Sequence, residues 1–350
     1  MILAVAVASL LISPGPASAD AIRDRQWHLA SLGVLDAQKL SMGEGVLVAV
    51  PDTGVDDRHG ELAGAVAEGK EFGEGASGNG KADTDGHGTA MAGLIAGRGL
   101  PNGGGVLGVA PKATILPVQT IHSDFGGSPV NLAAGIDWAV AAGAKVICVA
   151  AVTSEYPEVR TAVERAVKAD VVVVAGVGNT PKNKQVGFPA KVPGVVAVAG
   201  TDKDGKHAAI SATGPEVVLA APAVDIVSTG AFGKYVTGEG TSNSTAIVAG
   251  VVALVRAKYP QLPATEVVRR LTATAADRGK PGRDDEYGYG IVDPVKALTA
   301  DLPPSAQPSS GPAQSAGPGK GGAGVGVGWV VVGVGVVGGA VLWWVRRRTR

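Results

Sequence analysis

Between residues 45 and 200 the chain alternates short apolar runs with longer stretches of helical periodicity. The runs 45–50 (GVLVAV), 145–150 (KVICVA), 170–176 (DVVVVAG) and 195–200 (VVAVAG) carry no polar residue at every second place, as a half-exposed strand would. Continuous β-branched runs of this length predict strands buried on both faces of a parallel sheet. Helices are predicted over 87–97, 131–144, 158–169, 245–259 and 264–275. The alternation predicts an α/β fold, a doubly wound, mostly parallel sheet with helices on both faces, whose ligands bind at the carboxyl ends of the strands. There is no internal repeat.

Both ends of the chain depart from this pattern. Residues 1–19 are largely apolar up to Ile12 and close on Ala17-Ser18-Ala19, a small-x-small site of the kind that ends a cleavable secretory signal. The segment lacks a basic start, so a buried N-terminal strand is the alternative. Residues 325–345 run without a charge, and at about 1.5 Å per residue such a helix spans roughly 31 Å, the thickness of a bilayer core. Trp343 and Trp344 lie at its end, followed by Arg346, Arg347, Arg348 and Arg350. This predicts one transmembrane helix with the tail 346–350 in the cytoplasm, against the alternative of a Gly/Val-rich elastic tail. The linker 302–324, built almost wholly of Pro, Gly, Ser, Ala and Gln, cannot bury a core and reads as a tether. The expected globular domain is therefore 20–301, held outside the cell membrane as a single-pass type I protein.

Composition narrows the chemistry. With 31 Lys and Arg against 31 Asp and Glu there is no basic stripe, which argues against nucleic acid as a partner. The single cysteine, Cys148, forms no internal disulfide, so a secreted domain must hold through its core. Neither an HExxH motif nor clustered Cys/His spacing calls for a metal, and no cofactor motif is present. His28, His59, His122 and His207 lack a setting that suggests chemistry.

Four other residues have one, and each also has a plainer role. Asp52 closes the first strand run ahead of Thr53-Gly54, where functional groups collect in such folds, although Asp also forms turns there. His87 stands between glycines at a helix start, as a base or as a cap. Asn179 follows a buried strand, as a hydrogen-bond donor or as a turn residue. Ser242, in GEGTSNSTAIVAG, is a nucleophile or a helix N-cap. Asp, His, Asn and Ser in this order match one known arrangement for nucleophilic catalysis.

The motifs VAVPDTGVD around Asp52, DGHGTAMAGLIAG around His87 and GTSNSTAIVAG around Ser242, with the closing YGYGIVDPVKAL, resemble those of subtilisin-like serine proteases over residues 46–298. The resemblance implies that Ser242 attacks a peptide carbonyl, His87 takes its proton, Asp52 orients the imidazole and Asn179 supplies the oxyanion hole. It further implies substrate pairing along Val149, Ala150 and Ala151. An ordinary histidine would lose its base function below about pH 6 to 7. QWHLASLG, the signal, the tether and the anchor are similar to mycosins, the membrane-anchored subtilases of type VII secretion. Expected partners are thus a protein or peptide substrate, the membrane and a secretion complex. The chain departs from the family at Pro51, at the edge 148–152 (CVAAV) in place of Asn-x-Ser-Leu-Gly, and at Ala246 in place of Pro. Ala246 should cost little, whereas the altered edge 148–152 keeps open a structural component of a secretion complex, with weak or dispensable proteolysis, beside the active endopeptidase.

Overall fold

The computed structural model describes residues 17–122 and 126–303. Most of the predicted signal, most of the linker and the predicted membrane span lie outside these residues. Among the described residues no helix is long and apolar enough to cross a membrane.

The strands are β1 (Leu47–Asp52), β2 (Lys70–Glu71), β3 (Thr114–Gln119), β4 (Ile121–His122), β5 (Gly126–Gly127), β6 (Val146–Val149), β7 (Val172–Gly176), β8 (Val196–Thr201), β9 (Leu219–Pro222), β10 (Ile226–Thr229) and β11 (Tyr235–Gly238). The helices are α1 (Ala17–Asp24), α2 (Trp27–Ser31), α3 (Val34–Gln38), α4 (His87–Ala96), α5 (Pro129–Ala141), α6 (Pro157–Lys168), α7 (Thr241–Lys258), α8 (Ala264–Thr274) and α9 (Pro294–Thr299). Seven strands form one parallel sheet in the order β2-β3-β1-β6-β7-β8-β9, and the pairs β4/β5 and β10/β11 form antiparallel hairpins.

The two faces of the sheet divide the apolar runs by parity, as a strand period of two requires. Val48, Val50, Val146, Cys148, Val172, Val174, Val196 and Val198 face the layer of α4 and α7. Ala49, Ile147, Val149, Val173, Ala175, Ala197 and Ala199 face α5 and α6. This is the both-sided burial that the unbroken apolar runs predict. The longest helix among the described residues, α7, is buried from Ser244 through Arg256 and packs across β6, β7, β8 and β9. Its Ser and Thr hydroxyls are not left unpaired: Ser244 Oγ donates to Ala221 O (2.9 Å) and Thr245 Oγ1 to Thr241 O (2.7 Å).

The order of the strands places a crevice. The chain lays β2 and β3 on one side of β1, then crosses to β6 on the other, so the winding reverses between β1 and β6. A crevice at the carboxyl ends opens where the winding reverses in this way. Here the β1/β6 register covers only Val48↔Val146 and Ala49↔Ile147, and beyond it the strands part. Pro51, which has no N–H to donate, falls beyond that ladder and asks nothing of β6.

Sequence periodicity did not reveal β3, whose run TILPVQ is broken by Pro117, nor the short β2 and β9. Pro117 pairs with Val50 on one side, and on the other the β2 ladder begins only at Val118, so the missing N–H is tolerated. The N-terminal segment stays packed on the domain. Arg23 donates to the carbonyls of Gly105 (3.0 Å) and Gly104 (3.1 Å), and buried Gln26 exchanges two hydrogen bonds with the Leu107 backbone.

Behind Gln26 in the chain, His28 is fully buried and neither ring nitrogen has a partner among the described residues. Burial disfavours the charged imidazolium and pushes its pKa down to about 3. Between that value and about 6.5 the unfolded chain binds a proton that the folded one refuses, so stability falls as pH falls through this window. From pH 7 to pH 5 the loss is about 2 kcal/mol. Urea unfolding at both pH values should show that extra loss in the native protein and not in His28→Leu; parallel behaviour of the two would contradict a neutral buried His28.

Candidate active site

Asp52 is the last residue of β1 and has no exposure to water. Both of its oxygens lie at hydrogen-bond distance from His87 Nδ1, at 2.8 and 2.9 Å, and Oδ1 also accepts from Thr53 N–H (2.7 Å). His87 opens α4, so its position depends on how closely that helix approaches β1. The approach leaves no room for a side chain at the next residue: a Cβ on Gly88 would stand 2.1 Å from Gly54 O and 3.1 Å from Asp52 Cβ. Gly88 N–H instead donates to Thr53 Oγ1 (2.9 Å).

The start of α4 is held from below by Asp83, a buried residue that sequence reasoning did not single out. Its Oδ1 accepts from Gly86 N–H (2.8 Å) and its Oδ2 from Thr89 N–H (3.0 Å) and Thr89 Oγ1 (2.5 Å). An acidic side chain satisfying free N–H groups in the first turn also complements the helix dipole. Asp83 stands ahead of the N-cap Gly86 and six residues before Thr89, outside the spacing of an ordinary N-cap, so no local pattern marked it. On the far side, Ser228 and Thr229 of β10 donate to the carbonyls of Ala90 and Thr89, both at 2.7 Å.

Asn179 follows β7 and reaches across to α7. Its Oδ1 accepts from Thr241 N–H (2.9 Å) and Thr241 Oγ1 (3.1 Å). Because a backbone N–H can only donate, these bonds fix which end of the amide is oxygen and turn Nδ2 the other way. Nδ2 makes no hydrogen bond among the described residues. The turn before α7 is shaped to match: Gly240, the residue ahead of the helix, has φ 152°, and a Cβ there would meet Asn179 Nδ2 at 3.2 Å.

Ser242 lies inside α7, not ahead of it, because the helix begins at Thr241, four residues before the predicted start. The plainer reading as an N-cap does not hold in this structure. Ser242 Oγ donates to Ala150 O (2.8 Å) and caps no helix N–H. No hydrogen bond joins it to His87 among the described residues. Its own N–H, in the first turn, is likewise without a partner among them. Ser242 N–H and Asn179 Nδ2 are thus two unspent donors on the same side of the crevice.

Of the three residues predicted to line a substrate, Val149 has its side chain in the α5/α6 core, whereas Ala150 and Ala151 lie at the crevice. Neither Ala151 nor Val152 makes a backbone hydrogen bond among the described residues, so a short length of strand edge is open to an incoming chain. A 460 Å³ pocket opens on one side of this edge, next to Ser242 and Asn179. A second pocket of 310 Å³, lined by Pro51, Ile121, Pro129, Leu132 and Val152, opens on the other. Cys148 is buried near Asp52, and burial with that charge pushes its thiol above the usual range, which leaves it inert.

The electrostatics follow from the burial of Asp52. Its charge raises the pKa of His87 to about 9, outweighing the desolvation that acts to lower it. The imidazole is 36% exposed on its side chain, and Nδ1 is committed to Asp52, which leaves Nε2 to face the crevice. The window of an ordinary histidine, about pH 6 to 7, therefore moves upward in the free protein.

The chain is similar to known proteins over most of its length. Residues 43–290 match the peptidase S8 family, described as the subtilase family. A thermostable alkaline protease of Halalkalibacterium halodurans is 37% identical over 268 residues, 76% of this chain and 71% of that protein. Mycosin-3 of Mycobacterium tuberculosis is 36% identical, covering 79% of this chain and 72% of its own length. Among solved structures, MycP1 from Mycobacterium smegmatis superimposes with a TM-score of 0.71 at 31% identity, over 83% of this chain and 88% of that one.

If the Asp52 charge sets the titration of His87, an NMR titration of the imidazole should give a midpoint above 7 in the native protein. In Asp52→Asn the midpoint should fall toward 6.5, since the raising charge is gone. An unchanged midpoint would mean that Asp52 does not govern this ring.

Proposed function

The chain belongs to the subtilase family of serine proteases, and from that premise we propose that it is a serine endopeptidase using Ser242, His87 and Asp52, with Asn179 in the oxyanion hole. Two observations support the reading: the buried Asp52–His87 pair at the carboxyl end of β1, and, past the end of the neighbouring β6, a serine in the first turn of α7 beside two unspent donors. A serine hydroxyl is a weak nucleophile at neutral pH and needs a base within reach that is itself oriented by a third group.

The reaction requires Ser242 to leave Ala150 O and donate to His87 Nε2. As Oγ bonds to the substrate carbonyl carbon, its proton passes to Nε2, and Asp52 stabilises the imidazolium. The carbonyl oxygen gains the charge and accepts from Asn179 Nδ2 and Ser242 N–H, donors aimed in advance at the place where charge develops. Collapse breaks the carbon–nitrogen bond, and the amine leaves with the proton from Nε2. Water then bonds to the acyl carbon while its proton passes to Nε2, and that proton returns to Ser242 Oγ as the carbon–Oγ bond breaks and the acid is released. A base whose pKa is raised is protonated over more of the neutral range, so activity in the free enzyme should climb from neutral into alkaline pH.

The relatives named mycosin, and solved relatives described as type VII secretion proteins, support association with such a secretion system. The apolar start and the charge-free stretch 325–345 support a single-pass type I placement in the cell membrane, with the protease domain outside. A second reading, a structural component of a secretion complex with dispensable proteolysis, draws on the bond from Ser242 to Ala150 instead of His87.

A fluorophosphonate probe distinguishes the two readings, because it reacts only with a hydroxyl whose proton a base can take. Labelling should vanish in Ser242→Ala and drop sharply in His87→Ala. Folded native protein that resists the probe would favour the structural role. Asn179→Ala should fold normally and lose about a hundredfold or more in kcat with little change in KM, since the amide acts mainly in the transition state. A variant that keeps full kcat would remove Asn179 from the oxyanion hole. For topology, protease added to intact cells should release the domain by cutting within 302–324; recovery of the domain from the cytosol would count against the anchor.

A further inference from the structure

The serine-protease reading identifies where bond cleavage occurs but not which peptides are cleaved. Any peptide whose carbonyl carbon sits at Ser242, with its oxygen at Asn179 Nδ2, carries its own side chain on the adjoining Cα. That side chain, on the acyl side of the scissile bond, must enter the pocket that Ser242 and Asn179 themselves line. This is the 460 Å³ pocket bounded by residues 150–154 on one wall and by Gly176, residues 178–180, Lys182 and Asn183 on the other.

Its lining is polar and of one sign. Lys182 is the only charged residue among those that line it, and Thr153, Ser154 and Asn183 supply further polar groups. The hydroxyls of Thr153 and Ser154 make no hydrogen bond among the described residues. Lys182 enters no ion pair among them either, and the same holds for its exposed neighbours Lys184 and Lys191. From Asn179 to Thr201 the chain carries these three lysines and no Asp or Glu. Glu155, just beyond the opposite wall, is occupied by Arg160. The pocket across the strand edge offers a contrast, being lined largely by Pro51, Ile121, Pro129, Leu132 and Val152.

We propose that this pocket selects an acidic side chain, Glu or Asp, on the acyl side of the scissile bond, with Lys182 as the specificity-determining residue. The proposal rests on the serine-protease reading. A carboxylate accepts from the Lys182 ammonium and from the free hydroxyls of Thr153 and Ser154. An apolar side chain leaves those donors without partners, and a lysine meets like charge. Because Lys182 is exposed, the preference is moderate and sensitive to salt.

The test uses quenched peptides identical except for Glu, Gln, Leu or Lys at that position, with fluorophosphonate labelling of the same preparation as a check on Ser242. In the native enzyme kcat/KM for Glu should exceed that for Gln or Leu by about five- to tenfold, and that for Lys by more. The Glu over Gln ratio should shrink at about 1 M salt, a measurement that needs no variant. It should fall to near one in Lys182→Ala and invert in favour of Lys in Lys182→Glu. Labelled native enzyme with no preference for Glu, or a preference untouched by salt and by Lys182→Ala, overturns this inference and leaves the protease reading standing. Folded enzyme that neither labels nor cleaves overturns both.

Discussion

A carboxylate cut off from water is expensive unless something pairs with it, and Asp52 is cut off completely. Its partner is the imidazole of His87, and the local architecture is arranged around bringing the two within 2.9 Å. The helix that carries His87 must approach β1 so closely that residue 88 has no space for a side chain. Asp83, Thr53 and Thr89 hold that approach in place through backbone and hydroxyl hydrogen bonds. A burial penalty of several kcal/mol is retained where it does electrostatic work, and here the work is the elevation of His87.

The same ring has three different fates in this protein. His28 lies in an apolar interior with no partner, so burial alone acts and drives it toward the neutral form. His59 is also buried, and burial again works to lower its pKa, but the hydrogen bond and charge of Glu61 outweigh that and raise it. His87 sits beside a buried carboxylate with an edge in water and is raised furthest. The intrinsic chemistry is identical, and the neighbours alone decide the outcome.

The crevice itself is a product of topology. Parallel strands that are wound outward in two directions must separate somewhere, and β1 and β6 part just past Ala49. Into that gap come the end of β1 with Asp52, the strand edge after β6 with Ala150, and the start of α7 with Ser242. A buried central helix is what delivers Ser242 there, and its stability depends on apolar contacts together with hydroxyls that find carbonyl partners. Truncating one of its large core residues, such as Leu254 or Ile247, to Ala is of the class that costs about 2–5 kcal/mol.

Periodicity identified β1, β6, β7, β8 and the five main helices, because unbroken β-branched runs have few ways to be buried and 3.6-residue patterns are local. It missed β3, whose Pro117 breaks the pattern and is tolerated only because neither neighbour needs its N–H. The order Asp52, His87, Asn179, Ser242 was legible as chemistry because motif spacing is carried by the chain. What the chain alone could not convey is distance and direction. That Val149 is committed to the α5/α6 core while Ala150 and Ala151, past the end of β6, line the pocket depends on layers that exist only when folded. That Asp83 braces the His87 helix, that Thr241 sets the Asn179 amide, and that Ser242 rests on Ala150 are contacts between residues 6, 62 and 92 positions apart. The sequence by itself determined which elements form and which functional groups are available. Only the tertiary structure decided which of those groups meet, because burial and charge act through space and the sheet's winding sets that space.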